Sequence, residues 1–111
     1  MKAMRRDEVI EKLRAHADAI RGFGVKALYL YGSMARDESG EASDIDLFAD
    51  VNYSRFGFVA FMDAREYLAD LFGRKVDFTT RNGLHPELKD RIVRSAIKVF
   101  DNAKVDSTAA E

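Results

Sequence analysis

Two aspartates that lie two positions apart, Asp44 and Asp46, occur in the segment SDIDLFADV, where apolar and polar residues alternate as in a strand. This alternation places both carboxylates on one face, about 6.6 Å apart along the strand. A third aspartate, Asp77, lies in a second strand-like segment, KVDFTT. Two carboxylates about 4 Å apart repel each other by about 4 kcal/mol at an effective dielectric of 20. If the two strands are neighbours in the sheet, the three carboxylates converge and predict a compensating cation, for which magnesium, which prefers oxygen ligands, is the first candidate.

Paired magnesium ions indicate a class of reaction. Two such ions about 3.5–4 Å apart can hold the attacking and leaving oxygens of a phosphoryl or nucleotidyl transfer. The simpler alternative is that Asp44 and Asp46 face water at the edge of a sheet, because a short Asp-x-Asp pattern has low specificity. The carboxylates alone leave both interpretations open.

A Gly-Ser pair upstream favours the functional interpretation. Gly32 and Ser33 follow the apolar segment VKALYLY, and Ser33 comes 11 residues before Asp44. Gly32 has no Cβ, so a ligand can approach the backbone closely. If a helical turn begins here, its free N–H groups and the Ser33 hydroxyl form a seat for phosphate. An anion-binding turn followed by a carboxylate pair outlines a nucleotide–metal site.

Together, the motif GSMAR, residues 32–36, and the motif SDIDL, residues 43–47, resemble the signature of the DNA polymerase beta-like nucleotidyltransferase superfamily. The short chain is similar to the minimal nucleotidyltransferases, or MNT domains, of that superfamily. The resemblance is strong in the two motifs and looser in the order of elements along residues 5–100. It implies the small two-layer nucleotidyltransferase fold.

The resemblance implies a role for each matched residue. Gly32 and Ser33 would hold the nucleotide phosphates, and Asp44 and Asp46 would bind two Mg²⁺ ions. Asp77 would be a further metal ligand that helps to activate the attacking hydroxyl. These residues would form the catalytic, metal-binding and nucleotide-binding site.

The family's reaction completes this expectation. Arg36 matches the arginine of the motif, where it would position the phosphate or brace the following loop. The resemblance implies ATP as the substrate and transfer of AMP to a hydroxyl. Many stand-alone MNT proteins are antitoxins that modify a tyrosine of a HEPN-domain toxin, a helical ribonuclease. The chain is therefore expected to be a protein adenylyltransferase and antitoxin with a HEPN toxin as its partner.

Two alternatives to this function remain open. A non-catalytic binding antitoxin would neutralise its partner by masking it. A small-molecule nucleotidyltransferase of the aminoglycoside-modifying kind would need a second chain to complete its acceptor pocket. The chain lacks the additional C-terminal domain with which larger relatives hold their acceptors, so we expect the acceptor to be a folded protein.

Hydrophobic periodicity predicts the elements that position these residues. Helices are predicted over residues 5–21, 55–72 and 86–100, and strands over residues 25–31, 43–51 and 75–80. The connection between the first two strands is too short for a crossover helix, so they should be antiparallel, whereas the third can be parallel to one of them. We therefore predict a two-layer α/β (α+β) domain over residues 1–101, with a mixed sheet of three or more strands covered by helices. Residues 102–111 are predicted to be a flexible tail.

Composition narrows the class of protein. The chain has 111 residues, of which 47% are hydrophobic, enough for one domain with a core. Its 18 Lys and Arg residues nearly balance its 19 Asp and Glu residues, which argues against direct nucleic-acid binding. It has no cysteine, no signal-peptide pattern and no apolar run long enough to span a membrane. A cytoplasmic protein is expected, and the oligomeric state, whether homo- or hetero-oligomeric, stays open.

Other residues have a structural and a functional interpretation. Phe56 is the first candidate for an aromatic residue that faces a partner rather than the core. Arg81 and Asn82 either border the site or merely connect elements. Solvated charge is the simpler interpretation, and contact with a charged partner the alternative, for six residues: Asp37, Glu38, Glu41, Arg91, Arg94 and Lys98. His16 and His85 are isolated and are predicted to have no catalytic role.

Overall fold

The computed structural model describes residues 5–36 and 44–101. The helices are α1 (Arg6–Ala15), α2 (Ala17–Arg21), α3 (Gly32–Ala35), α4 (Phe58–Phe72) and α5 (Lys89–Ser95). The strands are β1 (Val25–Tyr31), β2 (Ile45–Val51), β3 (Val76–Thr80) and β4 (Ile97–Phe100), and a short 3-10 turn spans Arg81–Gly83. The predicted tail 102–111 and the acidic residues Asp37, Glu38 and Glu41 lie outside the described residues.

The strands form one mixed sheet in the order β3-β2-β1-β4. β1 pairs antiparallel with both β2 and β4, and β3 runs parallel to β2. The predicted antiparallel start and the parallel third strand are therefore confirmed, within a mixed α/β domain. Among the described residues, no helix is long and apolar enough to cross a membrane.

The two faces of the sheet differ in chemistry because strand residues alternate. One face packs against α1, α2 and α4 and supplies the core, in which Leu30, Leu47 and Phe78 are buried. The opposite face, which we call the open face, has Tyr29 and Tyr31 on β1. Register places Phe48 beside Tyr29 and Asp46 beside Tyr31.

Two helices differ from the bounds that the sequence predicted. The helix predicted over residues 5–21 is interrupted at His16, which separates α1 from α2. The helix predicted from residue 55 begins at Phe58, after Gly57. Ser54 is held in the preceding turn, where its Oγ donates to Asn52 Oδ1 at 2.7 Å. Phe56, expected to face a partner, is buried, because this turn directs it into the core before the helix starts.

The prediction of a single helix over residues 86–100 is wrong. α5 ends at Ser95, whose Oγ donates to the Arg91 carbonyl at 2.9 Å, and Ala96 is extended. The following residues form β4, which pairs with β1. Lys98 therefore cannot share a helix face with Arg91 and Arg94, and its Nζ lies 2.7 Å from Asp101 Oδ2.

Candidate functional site

The candidate site begins where β1 turns into α3. Gly32 has a φ of 77°, in the left-handed region that favours glycine, and this allows the chain to turn sharply after Tyr31. Met34 and Ala35 are buried and anchor the turn in the core. From α1, Arg6 Nη1 donates to the Ala35 carbonyl at 3.2 Å, which satisfies one of the carbonyl groups at the end of this short helix. Ser33 therefore lies in a fixed turn beside the open face.

A row of three polar side chains crosses the open face beside this turn. Tyr31 on β1 is in register with Asp46 on β2, and Asp46 is in register with Asp77 on β3. Neighbouring strands are about 4.8 Å apart, so the two carboxylates are close neighbours. The Asp46 carboxylate also lies against Gly32, where a Cβ would collide with Oδ2. The sequence-predicted Gly32, Asp46 and Asp77 are thus brought together.

The electrostatics of this row show uncompensated negative charge. Partial burial, with the nearby Asp77 and Asp44 carboxylates, raises the pKa of Asp46 to about 6 from its ordinary 3.8. Burial and the same Asp46 and Asp77 charges raise the pKa of Tyr31 to about 12. Tyr31 therefore keeps its proton at neutral pH and can donate a hydrogen bond across the open face.

Two cations offset part of this charge. Lys75 Nζ lies 3.7 Å from Asp44 Oδ2, and both side chains are well exposed. Lys75 and Arg36 each act on Asp46 to lower its pKa, but they are outweighed by burial and the other carboxylates. Arg36, the predicted motif arginine, is therefore close enough to influence the row.

The donor chemistry of the three aspartates fits a hard divalent cation. Asp44, Asp46 and Asp77 offer only carboxylate oxygens, the ligands that Mg²⁺ prefers. Over residues 5–36 and 44–101, no three His, Asp or Glu side chains converge closely enough to form a ready metal cage. Like charges favour this separation. The fit therefore rests on the ligand type and the register.

A second polar cluster lies further along the open face, and sequence reasoning identified it only in part. Arg81 donates to both carboxylate oxygens of Asp50, at 2.6 and 2.8 Å. The Arg81 guanidinium lies 5.1 and 5.2 Å from the ring centroids of Tyr29 and Phe48, which stack on each other. Alternation along β1 and β2 is the sequence signal that could have placed these residues beside Asp46. The cluster ties the 3-10 turn to the open face.

Other predicted residues lie apart from the row. His16 Nδ1 and the Tyr67 hydroxyl share a hydrogen bond of 2.8 Å, and His85 Nδ1 accepts from the Glu87 amide. Asn82 donates to the Tyr53 hydroxyl at 3.1 Å. A cavity of about 420 Å³ between α1, α2 and β4 contains none of the predicted site residues.

Comparison with sequence families and curated proteins supports one family. Residues 11–105 match the family model described as "Polymerase beta, Nucleotidyltransferase". A Methanocaldococcus jannaschii protein, provisionally named a protein adenylyltransferase, is 36% identical over 94 residues, which cover 83% of this chain and 95% of the relative. The protein adenylyltransferase MntA of Thermococcus cleftensis is 30% identical over 94 residues, covering 84% and 94%.

Solved structures support the same fold. A chain described as a candidate minimal nucleotidyltransferase has a TM-score of 0.65 and 32% identity, with 79% of this chain and 93% of that chain covered. A toxin–antitoxin structure with AMP-PNP gives a TM-score of 0.62 at 18% identity, covering 93% and 78%. A complex of a tri-AMPylated Shewanella oneidensis HEPN toxin with its MNT antitoxin gives 0.60 at 16% identity, covering 89% and 78%. At these lower identities the likeness concerns the fold alone.

Proposed function

The chain belongs to the polymerase beta nucleotidyltransferase family, and we propose that it transfers AMP from ATP to a hydroxyl of a partner protein, with magnesium. One observation carries the proposal: Asp46 lies against Gly32 on one side and in register with Asp77 on the other. This arrangement joins a phosphate-binding turn to a row of carboxylates. Close relatives that are named protein adenylyltransferases support AMP as the transferred group.

The proposed roles follow from this row. Gly32 and Ser33 bind the β- and γ-phosphates through the turn. Asp44, Asp46 and Asp77 would hold two Mg²⁺ ions, since carboxylate oxygens are the ligands that this ion prefers. When bound, the ions neutralise phosphate charge and favour ionisation of the acceptor hydroxyl.

The protein's own contribution is positioning and charge. The Gly32 turn fixes the leaving pyrophosphate on the β1 side of the row, and Arg36 adds positive charge near it. Tyr31 keeps its proton and can donate to a phosphate oxygen. Asp77, on the far side of Asp46, orients the incoming hydroxyl. No covalent intermediate with the enzyme is needed, because acceptor and ATP meet directly.

The proposed partner is a HEPN-domain toxin, and the proposed acceptor is one of its tyrosines. Support comes from fold neighbours, one of which is the MNT antitoxin bound to a tri-AMPylated HEPN toxin. A masking antitoxin without catalysis is the second candidate. The exposed apolar side chain of Phe58, at the start of α4, supports that candidate because it suits a protein interface that needs no catalysis.

The test is intact mass measurement of a HEPN-domain protein after incubation with this protein, ATP and magnesium. We expect that partner to gain one or more AMP units with the wild type and none with Asp46→Asn. Asp70→Asn, which changes an exposed carboxylate on α4, is the matched control and should transfer normally. An unmodified partner whose toxicity is still neutralised would favour masking. Full transfer by Asp46→Asn would refute the metal-binding role of this carboxylate.

A further inference from the structure

The carboxylate row points toward a free edge of the sheet. β3 is the last strand in the order β3-β2-β1-β4, so within the described part of the chain its outer side has no strand partner. The Lys75 carbonyl accepts from the Ile45 amide of β2 at 3.2 Å. Because backbone groups alternate along a strand, Asp77 also turns its N–H and C=O toward β2. Val76 and Phe78 turn theirs outward.

The geometry of in-line displacement indicates the side from which the acceptor hydroxyl approaches. Attacking and leaving oxygens lie on opposite sides of the reacting phosphorus. With pyrophosphate held at Gly32, beside β1, the attacking hydroxyl must come from the opposite end of the row. That end is Asp77, on the edge strand. The acceptor therefore approaches across the outer side of β3.

Apolar side chains and two grooves accompany the same edge on the α4 side. A groove of about 330 Å³ beside the start of β3 is lined by Met62 and Val76 together with charged side chains, Glu66 and Lys75 among them. Another of about 360 Å³ includes Phe58 and Thr80, beside its end. Phe58 and Met62 are 77% and 37% exposed. The grooves thus flank both ends of the strand that holds Asp77.

We propose that the acceptor hydroxyl is delivered on an extended polypeptide segment that pairs with the outer edge of β3. This inference rests on the proposed function and adds how the acceptor is recognised. Backbone pairing with Val76 and Phe78 would give affinity without regard to sequence. Alternation would place the acceptor residue on the open face beside Asp77. Its two neighbours would point toward α4, so an apolar residue is expected on the side of the acceptor that faces Phe58.

The test compares three single substitutions on α4. Phe58→Glu and Met62→Glu place a charge in the two grooves at exposed positions, so the fold should tolerate them. Val59→Glu is the matched control: Val59 is 70% exposed and lines neither of these two grooves, although the groove that it does line also includes Phe58. AMP transfer to the HEPN-domain protein is measured at varied acceptor concentration, and affinity for AMP-PNP with magnesium is measured separately.

We expect Phe58→Glu and Met62→Glu to raise the acceptor KM about tenfold or more, equivalent to about 1.4 kcal/mol of lost binding. Nucleotide affinity should not change, and Val59→Glu should stay within about twofold of wild type, as for an ordinary surface substitution. Unchanged KM values in both groove variants would overturn the proposal. So would an equal rise in all three variants, since the effect would then not follow the β3 edge.

Backbone pairing is measured independently by amide hydrogen exchange. The partner should slow exchange at Val76 and Phe78, with or without AMP transfer. Slowed exchange without any transfer would keep the docking edge and refute the proposed reaction. AMP transfer without slowed exchange would support the proposed reaction and refute docking at the β3 edge. If these amides are protected in the purified protein by self-association, the edge serves a second copy of this chain and the acceptor assignment is wrong.

Discussion

Replacing Asp46 with asparagine should stabilise the protein in the absence of magnesium. The folded state raises the pKa of this carboxyl from 3.8 to about 6, because of burial and the neighbouring Asp77 and Asp44 charges. At about 1.4 kcal/mol per pKa unit, the ceiling on this cost is about 3 kcal/mol at neutral pH. Asp46 is only partly buried, so solvent and salt screening reduce the expected value to about 1–2 kcal/mol.

The sign follows from the direction of the shift. A carboxyl whose pKa is raised on folding contributes its full stability below its unfolded pKa, and that contribution is lost as pH rises through the folded value. Asp46→Asn cannot ionise and so avoids this loss. At pH 7.5 the free energy of unfolding should be larger for the variant than for the wild type. This difference should shrink toward zero as pH falls through about 6 to 4.

The assay is urea denaturation in EDTA at pH 7.5 and pH 4. In a parallel thermal denaturation, the expected gain in stability corresponds to a rise in Tm of about 4–8 °C per kcal/mol for a domain of this size. Asp70→Asn serves again as the exposed control and should show little change at either pH. Magnesium with ATP should stabilise the wild type through binding and leave Asp46→Asn nearly unaffected. A less stable variant at pH 7.5, or an equal difference at both pH values, would refute the electrostatic reasoning.

Two further substitutions probe the turn and the Arg81 cluster. Gly32→Ala should lower the free energy of unfolding by about 1–2 kcal/mol because of the positive φ, and by more because of the collision with Asp46. Urea denaturation would detect this loss, and AMP transfer should be lost as well. Arg81→Gln should cost about 1 kcal/mol at pH 7. Because Arg81 lowers the pKa of Asp50, the part of this cost that comes from the ion pair should disappear on acidification through that lowered pKa. A loss of unfolding free energy that is the same at every pH would contradict the assignment.

Local signals predicted the part of the fold that carries the proposed chemistry. β1 was predicted over its full length, and the helix predicted over residues 55–72 ends at the predicted residue. Gly73 has a φ of 62°, the left-handed cap that glycine favours, and α4 ends at Phe72. The adjacency of Asp46 and Asp77 was conditional on strand order, which periodicity does not encode.

Longer-range contacts decided the errors. Ile97 and Phe100 have the spacing of a helical stripe, and only pairing with β1 selects the strand. α4 begins later than predicted. Starting at Phe58 rather than near residue 55, it buries Ala64, Leu68 and Phe72 and leaves Phe58 exposed. Tertiary contacts therefore overrode a pattern that was locally consistent.

One face of the sheet supplies the buried core, and the opposite face carries the residues of the proposed site. On the helix-covered face Leu30, Leu47 and Phe78 are buried among other apolar side chains. On the open face, Asp46 is held against Gly32 and beside Asp77 at an electrostatic cost. Because stability and this cost arise on opposite faces, a substitution that relieves the charge can strengthen the fold while it removes the proposed metal ligand. Such opposition is expected where a site is arranged for its ligand rather than for the empty protein.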